Sequence, residues 1–288
     1  SISQIIEQSS RIIFIFLLYQ ISKIYHFHFY ISFTVIGLVI GELSSCIYCL
    51  KMLTPDIRHR NFPIMSLSTF IYNLKELVIL AFPLTASRVL LNILQSIEAV
   101  SIPLALISYG SHNSEALAMY GVLTGMALPF ILFPSAITNA LSTMLLPTIS
   151  EIQAVKNVSQ MLLITKKSII SCTFLGVLCC VFFILFGNLA GSLVFHSSLA
   201  GDFIVTLAWM CPFLYTNSTL LSTINGIGKT WVSFIINAIS LSIRIITIVF
   251  MIPYHGIYGY LCGLLISQIV VFILCLLYLY KYFKAEVL

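Results

Sequence analysis

The chain has 288 residues, of which 60% are hydrophobic and only 8% charged, and its mean hydropathy is +1.07. Soluble domains carry about a quarter charged residues, so this composition excludes a soluble fold. The net charge of +5 falls between hydrophobic runs rather than in one patch, so the basic residues report membrane orientation and not a nucleic-acid partner.

A spanning helix needs roughly 20 apolar residues. Runs of that kind lie at about 4–22, 29–51, 76–107, 116–147, 168–195, 203–226, 231–252 and 257–282. The expected fold is therefore all-α, a polytopic transmembrane helical bundle of about eight spans. The chain opens on Ser1 with no charged leader region or small-residue cleavage site, which argues against a signal peptide and for sequence preceding residue 1. In the first run Gln4, Glu7, Gln8 and Arg11 share a face. Glu7 and Arg11 have the favourable i, i+4 order, either as an interfacial salt bridge or as cavity groups. The second run holds Glu42, read as either a cavity group or a carboxylate in a helix pair. It also holds Cys46 and Cys49 in CxxC spacing, without the second pair or nearby histidines that a metal or redox site needs. The other cysteines also lie mostly in apolar runs, where a thiol acts as a small buried hydrophobe.

Residues 52–75 form the one long polar segment, with Arg58, Arg60 and Lys75 beside Pro55 and Pro63. The third run follows, and there Arg88, Asn92 and Gln95 recur at i, i+4, i+7 with Glu98 near the edge of the stripe. A charged group at the centre of a span costs about 2.5–3.5 kcal/mol even on the lenient insertion scale, so such a stripe faces a partner or a cavity. The plainer reading is that Arg88 and Glu98 pair with other helices for packing or snorkel to an interface. The seventh run repeats the pattern with Ser233, Asn237 and Arg244 on one face and Ser240 close by. Two arginine-bearing stripes point to a cationic cavity.

GxxxG spacings at Gly37/Gly41, Gly121/Gly125, Gly187/Gly191 and Gly259/Gly263 would admit close helix approach. Pro83, Pro103, Pro129, Pro134 and Pro212 lie in or near spans and are expected to bend them. Connections alternate in charge: 52–75 is basic, 108–115 lacks Lys and Arg, and 148–167 carries Lys156, Lys166 and Lys167. Then 195–202 has none, 226–230 has Lys229, 253–256 has none, and the tail has Lys281 and Lys284. This alternation supports six spans after residue 75, with the basic loops cytoplasmic and Lys23 as a single exception. Residues 151–167 read as a short amphipathic helix on that face. The Asn-X-Ser/Thr triplets at 157–159 and 217–219 fall in a cytoplasmic loop and inside a span. No HExxH, phosphate-binding loop, dinucleotide turn or nucleophile elbow occurs. Neither an enzyme nor a cofactor or metal protein is indicated.

The stretches AFPLTASR (81–88), YGVLTGMALPFILFPSAITNALS (120–142), LLPTISE (145–151), NGIGKT (225–230) and IPYHGIYGYLCG (252–263) resemble the stage V sporulation protein B group of polysaccharide exporters. That group lies in the multidrug/oligosaccharidyl-lipid/polysaccharide (MOP) superfamily. The resemblance implies a MATE-like fold of two six-helix lobes around a cavity open alternately to each side. Residues 1–51 would be the last two helices of an incomplete N-terminal lobe, 52–75 the cytoplasmic inter-lobe linker and 76–288 the six-helix C-terminal lobe. It also implies a multi-pass protein of the bacterial plasma membrane. The expected activity is flipping an undecaprenyl-linked oligosaccharide or a lipid II-like peptidoglycan precursor, in spore cortex or cell-wall synthesis. Related flippases hold pyrophosphate with cavity arginines, a task suited to guanidinium groups. By phase and chemistry the substrate-cavity candidates are Arg88, Asn92, Gln95, Glu98, Asn237, Arg244 and Arg11. A cation-coupled multidrug antiporter of the same fold and a non-transporting fragment are the alternatives. A glycosyltransferase acting on lipid carriers would call for a large external loop, and those here are short.

Overall fold

A computed structural model describes residues 2–25, 30–59 and 67–287, all helical apart from short connections. The helices are α1 (Ile2–Tyr25), α2 (Tyr30–His59), α3 (Leu67–Tyr109), α4 (Asn113–Val122), α5 (Leu128–Leu132), α6 (Ser135–Ala154), α7 (Val158–Leu193), α8 (Ser198–Ala208), α9 (Cys211–Gly226), α10 (Thr230–Phe250), α11 (Ile252–His255) and α12 (Ile257–Val287). They fall into two compact units, residues 1–73 and 74–288.

Among the described residues six helices are long and apolar enough to cross a membrane, and seven if the bent pair α8–α9 counts as one span. The run at 4–22 is α1, which carries Gln4, Glu7, Gln8 and Arg11 in its first turns. Most of the polar segment 52–75 is helix: α2 continues to His59 and α3 starts at Leu67. Arg60 and Pro63 lie outside the described residues.

In the first unit α1 and α2 pack along each other. A methyl group at Gly37 would overlap the Ile15 side chain, and one at Gly41 would press on the Glu7 carbonyl and the Arg11 side chain. The first GxxxG pair therefore works as its spacing suggests.

The second unit has two apolar centres. One gathers Ile102 and Leu106 of α3, Leu123 and Ile131, Phe203 and Leu207 of α8, Tyr215, and Ile257 and Leu261 of α12. The other gathers Leu145 and Ile149 of α6, Met161 of α7, Leu220 and Ile224 of α9, Ile236 of α10, and Cys275 and Leu279 of α12. Because α9, α10 and α12 each send residues to both centres, the centres lie at opposite ends of the same helices. Connections 110–112, 194–197 and 251–256 then share one end, and 155–157 and 227–229 the other, in the order the charge alternation requires.

Prolines break the spans at Pro129, Pro134 and Pro212, whereas α3 continues as one helix through Pro83 and Pro103. Pro129 follows a π-helical turn, Leu123–Ala127, and Pro134 separates α5 from α6. A proline supplies no N–H to the preceding turn, so carbonyls are freed. That of Ile131 accepts a 2.7 Å hydrogen bond from the buried Tyr215 hydroxyl of α9, and that of Leu132 one of 2.6 Å from Ser135. The α8–α9 bend of 55° falls just before Pro212. Gly176 of α7 lies so close to Pro212 that any side chain there would overlap its backbone.

Two local expectations are corrected. Among the described residues nothing lies close to Gly121 or Gly125, whereas Gly187, Gly191 and Gly263 are each pressed against a neighbouring helix. Residues 151–167 do not form a separate surface helix. Asn157 caps α7, its side chain accepting from the Gln160 amide, and α7 then runs 36 residues without interruption. The cap starts a helix whose apolar phase never breaks, so Lys166 and Lys167 belong to a long span's first turns.

Candidate functional site

Between the two apolar centres the helices carry a polar belt. On α12 Gln268 sits between Leu264 and Val271; on α9 Asn217 sits between Tyr215 and Leu220; on α10 Ser240 and Arg244 sit between Ile236 and Ile248. Polar groups at this depth are costly unless they meet each other or line a cavity. They do both. A cavity of about 420 Å³ is bounded by Gln95, Glu98, Tyr120, Thr124, Arg244 and Tyr260, among others. One of about 240 Å³ shares Arg244 and Gln268 with it and adds Asn217, Asn237 and Ser240. A third, of about 460 Å³, shares Asn237 and continues past Ser233 and Asn225 to Arg88.

The charged centre of the belt joins α3, α10 and α12. Arg244 Nη2 donates to Glu98 Oε2 at 2.6 Å and to the Tyr260 hydroxyl at 3.1 Å. The pair is almost withdrawn from the surface, with side-chain exposures of 18% for Arg244 and 7% for Glu98. Glu98 Oε1 and Arg244 Nε are buried without hydrogen-bond partners, so each group keeps unspent bonding capacity beside the cavity. Pro103 lies one turn beyond Glu98 on α3.

This arrangement revises the two-arginine cationic cavity. Arg244 is compensated by Glu98, while Arg88 is exposed and, among the described residues, makes no ion pair; the two border different cavities. The face of α3 that lines them includes Arg88, Leu91, Gln95 and Glu98. At 100° per residue that face is centred nearer Glu98 than the stripe suggested. Glu98 remains at the edge of that face, and Asn92 borders none of the three cavities. Asn237 joins two of them. Arg11, in the first unit, is paired with Glu7 of its own helix at 2.7 Å. Glu42 is exposed on α2.

Sequence reasoning passed over Asn217, Gln268, Tyr260 and Asn225. Gln268 is the lone amide of an otherwise apolar run, a signal of the kind that singled out Arg244. Asn217 was set aside as a triplet inside a span. It is 4% exposed, and its amide is engaged by Gln268.

No protein-family model matches the chain. It is 26% identical over 245 residues to Stage V sporulation protein B of Bacillus subtilis (strain 168), a match covering 83% of this chain and 47% of that protein. The chain is a homologue of that protein, with a MATE-like fold. It spans about half the length of this relative. Sporulation protein YkvU of the same organism is 28% identical over 135 residues, 47% of this chain and 30% of that one. Among solved structures, the MATE transporter VcmN of Vibrio cholerae in its bent form superposes with a TM-score of 0.72 at 16% identity, covering 99% of this chain and 61% of that one. The lipid II flippase MurJ in an inward closed conformation gives a TM-score of 0.58 at 18% identity, covering 99% and 57%. The apolar helices, together with these likenesses, make this a multi-pass plasma-membrane protein.

Proposed function

We propose that this chain contributes the cavity wall of a flippase or exporter that moves the polar head of an undecaprenyl-linked oligosaccharide or peptidoglycan precursor across the membrane by alternating access. The observation that carries this reading is the row of polar cavities between two apolar centres, walled by α3, α9, α10 and α12. A path for a large hydrophilic head through hydrocarbon needs such a belt, with bent helices whose freed backbone groups line it. The relationship to Stage V sporulation protein B supports a glycan-linked lipid, in spore cortex or cell-wall synthesis, and the fold shared with the lipid II flippase supports a lipid-linked head. Arg88, at one end of the row, offers a guanidinium free to hold a phosphate.

A second reading, a cation-coupled multidrug antiporter, is favoured by one feature: Glu98 places a carboxylate oxygen without a partner beside the largely uncharged cavity. Lipid II export separates the two. Bacteria depleted of their own flippase and supplied with the full-length protein should regain precursor on the outer leaflet. If they do not, with the protein confirmed in the membrane, and drug efflux appears instead, the antiporter reading replaces the first.

A further inference from the structure

The cavity of about 240 Å³ in the middle of the belt differs from those on either side because its polar wall is built largely from amides and hydroxyls, including Asn217, Gln268, Asn237, Ser218 and Ser240. Its one charged neighbour, Arg244, is already neutralised by Glu98 at 2.6 Å. The volume is below the roughly 300–1,000 Å³ of sites for drug-sized ligands, a scale that suits one sugar ring better than a polycyclic cation.

The bonding of Asn217 fixes what the cavity offers. Its Nδ2 donates to the main-chain carbonyl of Gln268 at 2.9 Å. A carbonyl can only accept, so this contact decides which end of the Asn217 amide is nitrogen. The same Nδ2 donates to Gln268 Oε1 at 2.8 Å, which in turn decides the orientation of Gln268. Two groups remain. Asn217 Oδ1 is an acceptor buried without a partner, on a residue 4% exposed. Gln268 Nε2 is a donor that bonds to no other group among the described residues. A phosphate oxygen only accepts and an ammonium only donates, so either would leave one member of this pair unserved. A hydroxyl donates and accepts, and two vicinal hydroxyls serve both groups at once. A site built to bond a hydroxyl rejects ligands that lack it, because its own buried polar atoms are then left unpaired.

We propose that the cavity between α9, α10 and α12 is a hydroxyl-recognition subsite for an uncharged saccharide, with Asn217 Oδ1 as acceptor and Gln268 Nε2 as donor. The proposal rests on the transport reading above and assigns the sugar of the head to this subsite, apart from any phosphate held at Arg88.

The test uses the full-length protein in lipid nanodiscs, with N,N′-diacetylchitobiose and inorganic pyrophosphate as probes and saturation-transfer NMR as the readout. The disaccharide is expected to bind. Asn217→Leu and Gln268→Met should each weaken it about tenfold, the scale of one lost buried hydrogen bond, while pyrophosphate binding stays unchanged. Gln268→Met preserves length and helix preference, so it carries the test alone if Asn217→Leu does not insert. No disaccharide binding, binding unchanged in Gln268→Met, or displacement of the disaccharide by pyrophosphate overturns the subsite. Failure of the transport reading looks different: the disaccharide binds and responds to the substitutions, yet lipid II export is not restored.

Discussion

Two ion pairs among the described residues have nearly the same length and different meanings. Glu7 and Arg11 lie one turn apart on α1 at 2.7 Å, with side-chain exposures of 18% and 23%. Glu98 and Arg244 are 146 residues apart and meet at 2.6 Å between α3 and α10, more deeply buried and with Tyr260 as a third member. The first pair is a property of helix geometry and holds no second helix in place. The second exists only because α3 and α10 are brought together, and each of its charges would be expensive in hydrocarbon without the other. The lesson is that an intramembrane arginine read alone as a cationic feature has to be counted with its partner.

The sharpest way to break this contrast is Glu98→Ala. It leaves Arg244 buried and unpaired, and stability should fall by about 2.5–3.5 kcal/mol on the insertion scale, read as a drop in melting temperature in detergent. An unchanged melting temperature would mean the pair does not hold α3 to α10. The double variant Glu98→Leu with Arg244→Met removes both charges. It should recover most of that loss, as replacement of buried ion pairs by apolar groups often does, while export activity stays impaired if the pair also serves transport. A double variant as unstable as the single one would show that the site needs its charges for folding.

A smaller effect is expected from Tyr215→Phe, which deprives the Ile131 carbonyl of its donor at the proline break. The cost should be about 1–3 kcal/mol if the carbonyl is left unsatisfied, seen as faster amide exchange around Phe133–Ser135. The smallest is Glu7→Ala on α1, for which about 0.2–0.5 kcal/mol is the ordinary worth of an i, i+4 pair. A melting shift as large as that of Glu98→Ala would erase the difference between the two pairs.

Much of the architecture was legible in the sequence. Apolar run lengths anticipate the helices, since backbone groups in hydrocarbon leave little alternative to helix, and proline positions anticipate the breaks at Pro129, Pro134 and Pro212. The 151–167 segment misled because its amphipathic look is local, whereas Asn157 caps a helix whose continuation to Leu193 sets its character.

The sequence by itself determined that the chain is a bundle of membrane helices with polar groups at mid-span on α3 and α10, because composition and periodicity act residue by residue along one helix. Only the tertiary structure decided that Glu98 is Arg244's partner, that Arg88 lies apart from it, and that Asn217 and Gln268 face one another with an acceptor and a donor to spare. Those facts depend on which faces of distant helices meet, and helix phase fixes a face without naming what it is pressed against.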